Sequence, residues 1–304
     1  MRNFKLIILS VVAVIFVSCG TSNTVPITGR KQNLMVSDGD ILSLSTQQYQ
    51  EFMQTAKLST NQANTAMVKR VGQNLANAVT SYLTAAGLQN DLQYYKWTFN
   101  LVQDKQVNAW CMPGGLICVY EGILPVTQDE PSLAIVLGHE IAHAVARHSA
   151  EQMSTQLKQQ YGLQIDAAVL GGLGMGTNTT SIIQAIAAQG FNFKNLSYSR
   201  SHETEADHMG LIFAAMAGYD PNAAVTFWQR MAAASGNSQS EFLSDHPSDA
   251  TRIKNIQGWL PEAMKYYKPQ TTKAATTTKK TTTTTKKSAT TTKKTATTKK
   301  STKK

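Results

Sequence analysis

The stretch Pro131-Ser132-Leu133-Ala134-Ile135-Val136-Leu137-Gly138-His139-Glu140-Ile141-Ala142-His143-Ala144-Val145 decides how this chain is read. Proline suits the first turn of a helix, where its missing N–H costs nothing, and the apolar run behind it predicts a buried helix. Three ionisable side chains interrupt that run. Burying them without a compensating partner would be expensive. A four-residue spacing sets His139 and His143 on one helical face, where both imidazoles can hold one ion, while Glu140 sits beside them within reach of a water. His139 and His143 are therefore candidate ligands of one Zn2+ per chain, and Glu140 is a candidate general base.

A catalytic zinc needs a further protein ligand. The extended pattern H-E-x-x-H-x-x-G-x-x-H would supply a histidine just downstream, but Ala146 stands where its glycine should be and Ser149 where its histidine should be. The alternative is a carboxylate from a separate helix. Glu203-Thr204-Glu205-Ala206-Asp207 offers two glutamates, and spacing alone does not choose between them. Glu203 and Asp207 share a helical face, so that Glu203 could ligate while Asp207 accepts a hydrogen bond from a ligand histidine.

Outward from these segments the chain reads as scaffold. Ala66, Val68, Val71, Leu75, Ala78 and Val79 recur at helical spacing and predict helix over 40–83. The runs 97–102 and 116–120 are β-like and suggest a small sheet. Cys111 and Cys118 flank Pro113-Gly114-Gly115; they could pair as a disulfide or stay as buried thiols, and they lack the paired spacing of a zinc site. The apolar stretch 165–191 is interrupted at Thr177-Asn178-Thr179-Thr180 before it reaches the length of a membrane span, so it reads as two packed helices joined by a turn. Helices over 202–217, ending at Gly218, and over 221–234 are expected next.

The composition, 42% hydrophobic and 16% charged over 304 residues, allows a substantial core. The formal charge of +10 would suggest nucleic-acid binding, but eleven lysines lie between Lys273 and Lys304, and the remainder is close to neutral. Beyond Pro269 no apolar side chain exceeds alanine, so 269–304 is expected to be a disordered cationic tail, suited to anionic glycan or lipid surfaces. At the other end, Arg2 and Lys5 precede the apolar run 6–17, and Ser18 then precedes Cys19. This pattern reads as an export signal over 1–18 whose end resembles a bacterial lipobox, with Phe16 in place of the usual leucine. On that reading Cys19 is lipidated and 19–31 tethers the lipid to a folded domain over 32–268. The protein would then be an exported bacterial lipoprotein of the cell envelope, periplasmic or on the outer membrane.

Ser199-Arg200-Ser201-His202-Glu203-Thr204-Glu205-Ala206-Asp207, downstream of the H-E-x-x-H helix, resembles the corresponding segment of the HtpX, LoiP, BepA and mitochondrial Oma-type peptidases. The resemblance extends to Pro26-Ile27-Thr28-Gly29-Arg30, Asn108-Ala109, Pro113-Gly114-Gly115, Arg147-His148, and His246-Pro247 with Arg252. It implies an α+β, mostly helical zincin-type domain with a small β-sheet whose edge strand faces the active-site cleft. It selects Glu203 over Glu205 as the third zinc ligand and leaves Asp207 to support a ligand histidine. It also implies that 108–112, with Asn108, Ala109, Gly114 and Gly115, binds an extended substrate by strand addition. His246 and Arg252 would stand near the scissile carbonyl as oxyanion donors. The activity implied is zinc-dependent endopeptidase cleavage of unfolded or misassembled cell-envelope proteins. The alternative is a zinc-containing chaperone for outer-membrane proteins that cuts little. His148, His202 and His208 are expected at the surface or behind the ligands, and Arg200 is expected to pair with Asp207 or Glu205.

Overall fold

A computed structural model describes residues 21–161, 179–188, 190–235, 242, 246 and 250–269. The signal segment, Cys19 and the cationic tail from residue 270 onward lie outside the described residues. The first described segment departs from the expected tether. Strand β1 (Thr21–Thr24) pairs antiparallel with β2 (Lys31–Leu34), and the connecting Val25 is only 1% exposed. Residues 21–31 thus belong to the fold, because a polar, turn-rich composition suits a tight hairpin as well as a linker.

Helix appears over most of 40–83, but in two pieces, α1 (Asp38–Thr55) and α2 (Gln62–Ala85), capped by the side chains of Ser37 and Asn61. These caps satisfy backbone donors that the first helical turn leaves without partners. Strands β3 (Thr98–Val102), β4 (Ala109–Met112) and β5 (Leu116–Tyr120) form a sheet in the order β3-β5-β4, with β3 parallel and β4 antiparallel to β5. β4 is the edge. Cys111 faces Ile117 and Trp110 faces Cys118 across the ladder, so the two cysteines are one position out of register and point to opposite faces. Each is a free, buried thiol, and the disulfide alternative is excluded.

A short helix α3 (Leu124–Thr127) leads into α4 (Glu130–Val145), the predicted metal helix. Asp129 Oδ1 accepts from the Ser132 N–H at 2.8 Å to start it, and every residue from Ser132 to Val145 is buried. It ends where Arg147 takes a left-handed backbone at φ 54°, held by Asp38 and Asp91. Then follow α5 (His148–Tyr161), α6 (Thr179–Ala188), α7 (Arg200–Met216), α8 (Ala223–Ser235) and α9 (Ala250–Ala263). Of the helix pair expected over 165–191, the second is α6; the first falls in 162–178, outside the described residues. Among the described residues no helix is long and apolar enough to cross a membrane. The architecture is the expected mostly helical α+β domain: α4 packs between α2, α7, α8 and the edge strand β4, which runs beside the helix bearing the histidines.

Candidate metal centre

Helices α4 and α7 cross closely because both are bare at the contact. A Cβ added to Gly138 would lie 2.7 Å from the Gly210 carbonyl oxygen, and one added to Gly210 would lie 2.6 Å from the His139 nitrogen. Only glycine tolerates such an approach. Glu203, Asp207 and Gly210 follow helical spacing on the face of α7 turned to α4, so the crossing brings both acids against His139. His139 Nδ1 lies 2.9 Å from Asp207 Oδ1. An ionised carboxylate only accepts, so the proton is on Nδ1 and the Nε2 lone pair is free to face the cluster.

One ligand atom each from His139, His143, Glu203 and His246 lies within 4.8 Å of the others, and all four residues are buried. Glu203 Oε2 makes no hydrogen bond, and its near neighbours include Arg252 Nη1 and His139 Nε2, each at 3.4 Å, so this buried carboxylate oxygen keeps a lone pair that a metal ion could take up. These donors, nitrogen and carboxylate oxygen, suit zinc. Burial by itself would raise the Glu203 carboxyl, but His246 and His139 outweigh it and hold it far below the usual carboxylate range. Glu140 lies beside the cluster, with Oε1 at 3.5 Å from His246 Nε2 and likewise without a hydrogen bond. Burial pushes its carboxyl up to about 7, against the pull of His246. A group poised near neutrality can take and return a proton at physiological pH.

His246 and Arg252 both reach the centre, His246 beside Glu140 and Glu203 and Arg252 against Glu203 Oε2 at 3.4 Å. His246 Nδ1 is 2.9 Å from Glu203 Oε1 and 3.2 Å from His139 Nε2, which places it among the ligand atoms as a potential fourth donor. Arg252 donates to Asp207 Oδ1 at 2.7 Å and lies over the Trp228 ring at 3.5 Å, behind His139. Its guanidinium supports the carboxylate that orients His139 and also reaches Glu203 Oε2 at 3.4 Å. The partners expected for Arg200 are also taken: Asp207 pairs with Arg252, and Glu205 pairs with Arg30 at 2.7 Å.

The edge strand is beside the centre but covered. Asn108 and Ala109 line a narrow cavity with Glu140, Tyr198 and His246, and the segment Phe193–Asn195 packs along β4. The Cys111 N–H is spent on Glu140. Tyr198 stacks on His143 with ring centroids 4.0 Å apart, and its hydroxyl meets Ser149 at 2.8 Å. Gly114 and Gly115 do not join that cavity. They make the β4–β5 turn at φ 90° and 79°, and their carbonyls accept from Lys96 and Thr98.

The remaining histidines separate. His208 pairs with Glu262 at 2.8 Å and stacks on Trp259, away from the centre. His148 is fully buried, with Nδ1 at 2.8 Å from His143 Nδ1. His202 stacks on His148 and reaches Glu151 at 3.2 Å. Sequence reasoning missed His246 as a ligand candidate, the stacking of Tyr198, and Arg30. A signal for the last existed: an arginine in the turn-rich segment ahead of α1, with the acids Glu151 and Glu205 on helices flanking the histidines.

Comparisons with known proteins agree with this geometry. The family model described as "Peptidase family M48" matches residues 62–260. The chain is 42% identical over 171 residues to the mitochondrial metalloendopeptidase OMA1 of Schizosaccharomyces pombe, covering 55% of this chain and 48% of that protein. It is 29% identical over 246 residues to the mitochondrial metalloendopeptidase OMA1 of Homo sapiens, covering 79% and 46%. With the metalloprotease LoiP of Escherichia coli it shares 27% identity over 226 residues, 74% of this chain and 82% of that protein. The chain spans about half the length of the first curated relatives it matches. The expected compartment does not stand. Relatives named as mitochondrial overturn the assignment to a bacterial periplasm or outer membrane. A charged start and an apolar run before Cys19 record charge and hydrophobicity, which do not distinguish one compartment from another.

Proposed function

Because the chain belongs to peptidase family M48, we propose that it is a zinc-dependent endopeptidase that cuts unfolded or misassembled protein segments, with Glu140 as its general base. The observation that carries this reading is the convergence of His139, His143 and Glu203 on one buried point, with the Glu140 carboxylate beside it. These three residues would hold the metal. Bound there, zinc supplies Lewis acidity, which lowers the pKa of water toward neutrality and polarises a carbonyl.

The chain's own groups do the rest. Asp207 holds His139 in the tautomer that presents Nε2, and Arg252 holds Asp207. Glu140 takes a proton from the attacking water at its carboxylate and returns it to the leaving amine, a task suited to a carboxyl held at about 7. An extended substrate would lie along β4, whose main chain offers ladder bonds to many sequences. Phe193–Asn195 and Tyr198 must move aside for it. Substrates are therefore protein segments that are already unfolded, and the cell-envelope origin first expected for them is dropped with that compartment.

The test compares the full chain with Glu140→Gln for zinc content and for cleavage of an unfolded protein. About one zinc in each and cutting by the parent alone supports the reading. Zinc in both with capture but no cutting by either would favour the chaperone alternative. Absence of zinc from the folded parent would overturn the centre.

A further inference from the structure

We propose that His148 is a positioning residue for the metal ligand His143, and that the N-terminal segment, through Thr28 and Arg30, anchors this arrangement from outside the family-matched region. The proposal rests on the reading of His139, His143 and Glu203 as metal ligands. It concerns a different contact, the one made at His143 Nδ1.

The chain of hydrogen bonds fixes its own direction. Glu205 Oε2 lies 2.9 Å from His148 Nε2, and an ionised carboxylate only accepts, so His148 carries its proton on Nε2. His148 Nδ1 is then a bare acceptor. It lies 2.8 Å from His143 Nδ1, a distance that needs one proton between the two nitrogens, and that proton must come from His143. With Nδ1 protonated, neutral His143 presents a lone pair at Nε2, 3.1 Å from His139 Nε2 and 3.4 Å from Glu203 Oε1. Carboxylate, imidazole and ligand thus form a relay that sets the tautomer of His143, as Asp207 does directly for His139.

The outer end of the relay is held by the segment ahead of β2. Arg30 donates from Nε to Glu205 Oε2 at 2.8 Å and reaches Glu151 with both terminal nitrogens at 2.8 Å. The Thr28 hydroxyl donates to Glu205 Oε1. Gln32 adds a bond to the Ala146 carbonyl at 2.6 Å, at the end of the metal helix, and another to Glu151 at 2.7 Å. Thr28 and Arg30 precede residues 62–260, so a chain trimmed to the family match would lack both anchors. Both ligand histidines are therefore backed by a carboxylate that an arginine holds: Asp207 with Arg252, and Glu205 with Arg30.

The experiment measures the zinc affinity of the full chain by competition with a chelator, and the visible spectrum of the Co2+-loaded protein, for the parent, His148→Gln and His148→Leu. Glutamine offers an oxygen acceptor and an N–H donor with a reach similar to that of the imidazole; leucine offers neither. Leucine should weaken zinc about 10- to 100-fold and shift the cobalt bands, while glutamine should restore most of both. Arg30→Gln and Glu205→Gln should each weaken zinc in the same direction. Parent-like affinity and spectrum in His148→Leu would overturn the relay; if that variant does not fold, parent-like affinity in both Arg30→Gln and Glu205→Gln would do so. Equal losses with glutamine and leucine would also overturn it, since packing alone would then account for both. Failure of the parent to bind zinc would overturn the underlying centre, a result distinct from any difference among the variants.

Discussion

Asp207 is placed to serve a metal that it would not itself touch. It accepts from His139 Nδ1 and from Arg252 on the same oxygen, at 2.9 and 2.7 Å, and so holds the ring while its own position is held by the guanidinium. Asp207→Asn can present an N–H to His139 and favour the wrong tautomer. We expect it to lose about 10- to 100-fold in zinc affinity, read by chelator competition; unchanged affinity would show that ring orientation is set elsewhere. The contact with His139 was legible from sequence because Glu203 and Asp207 are four apart on one helix. The resemblance alone put His246 near the centre; its approach to His139 and Glu203 was not legible, since it comes from a distant part of the chain and nothing in its neighbours' spacing points to α4.

The crossing of α4 and α7 is set by two glycines. A methyl group at either would meet backbone, which does not yield as a side chain would. Gly210→Ala should therefore cost about 1–3 kcal/mol in denaturant unfolding and lower zinc affinity as well, because Glu203 and Asp207 ride on the displaced helix. Stability lost with affinity intact would mean that the helices separate without moving the acids. Glycine inside a helix is unfavourable by about 1 kcal/mol against alanine, and that anomaly was the available sign of a close approach in both helices. At the sheet, the one-residue offset that keeps Cys111 and Cys118 apart also buries both. Burial raises the Cys111 thiol well above its ordinary range and pushes Cys118 up to about 12. Neither thiol should react with an alkylating reagent in the native state; both should react once the chain is unfolded, and rapid native labelling would contradict the register.

Across the molecule, the N-terminal hairpin is bound to the helices around the centre by charge. Burial works to raise the Glu151 carboxyl, but hydrogen bonds from His202, Arg30 and Gln32 outweigh it and hold it well below the ordinary carboxylate range. A carboxyl with a lowered folded-state pKa is protonated first in the unfolded chain as pH falls. Its contribution is present above the ordinary value of 4.5 and is lost as pH drops below it toward the folded value. Melting temperature should accordingly fall as pH is lowered from 5 to 3, and Glu151→Gln should be less stable at pH 7 with a shallower fall; parallel curves would remove Glu151 from the acid response.

The sequence by itself determined the buried helix, the pair of histidines, the neighbouring glutamate and the second helix with its acids, because each is a local pattern: an apolar run, a four-residue spacing, a cap and a stop. It also determined a small sheet with a glycine turn. Only the tertiary structure decided the rest. It brought His246 within reach of His139 and Glu203, set Arg252 between Asp207 and Glu203, turned the cysteines to opposite faces, and folded 21–34 against the helix that carries the histidines. These depend on contacts between segments far apart in the chain, where burial removes water and leaves each charged group only the partners that packing brings within hydrogen-bonding distance.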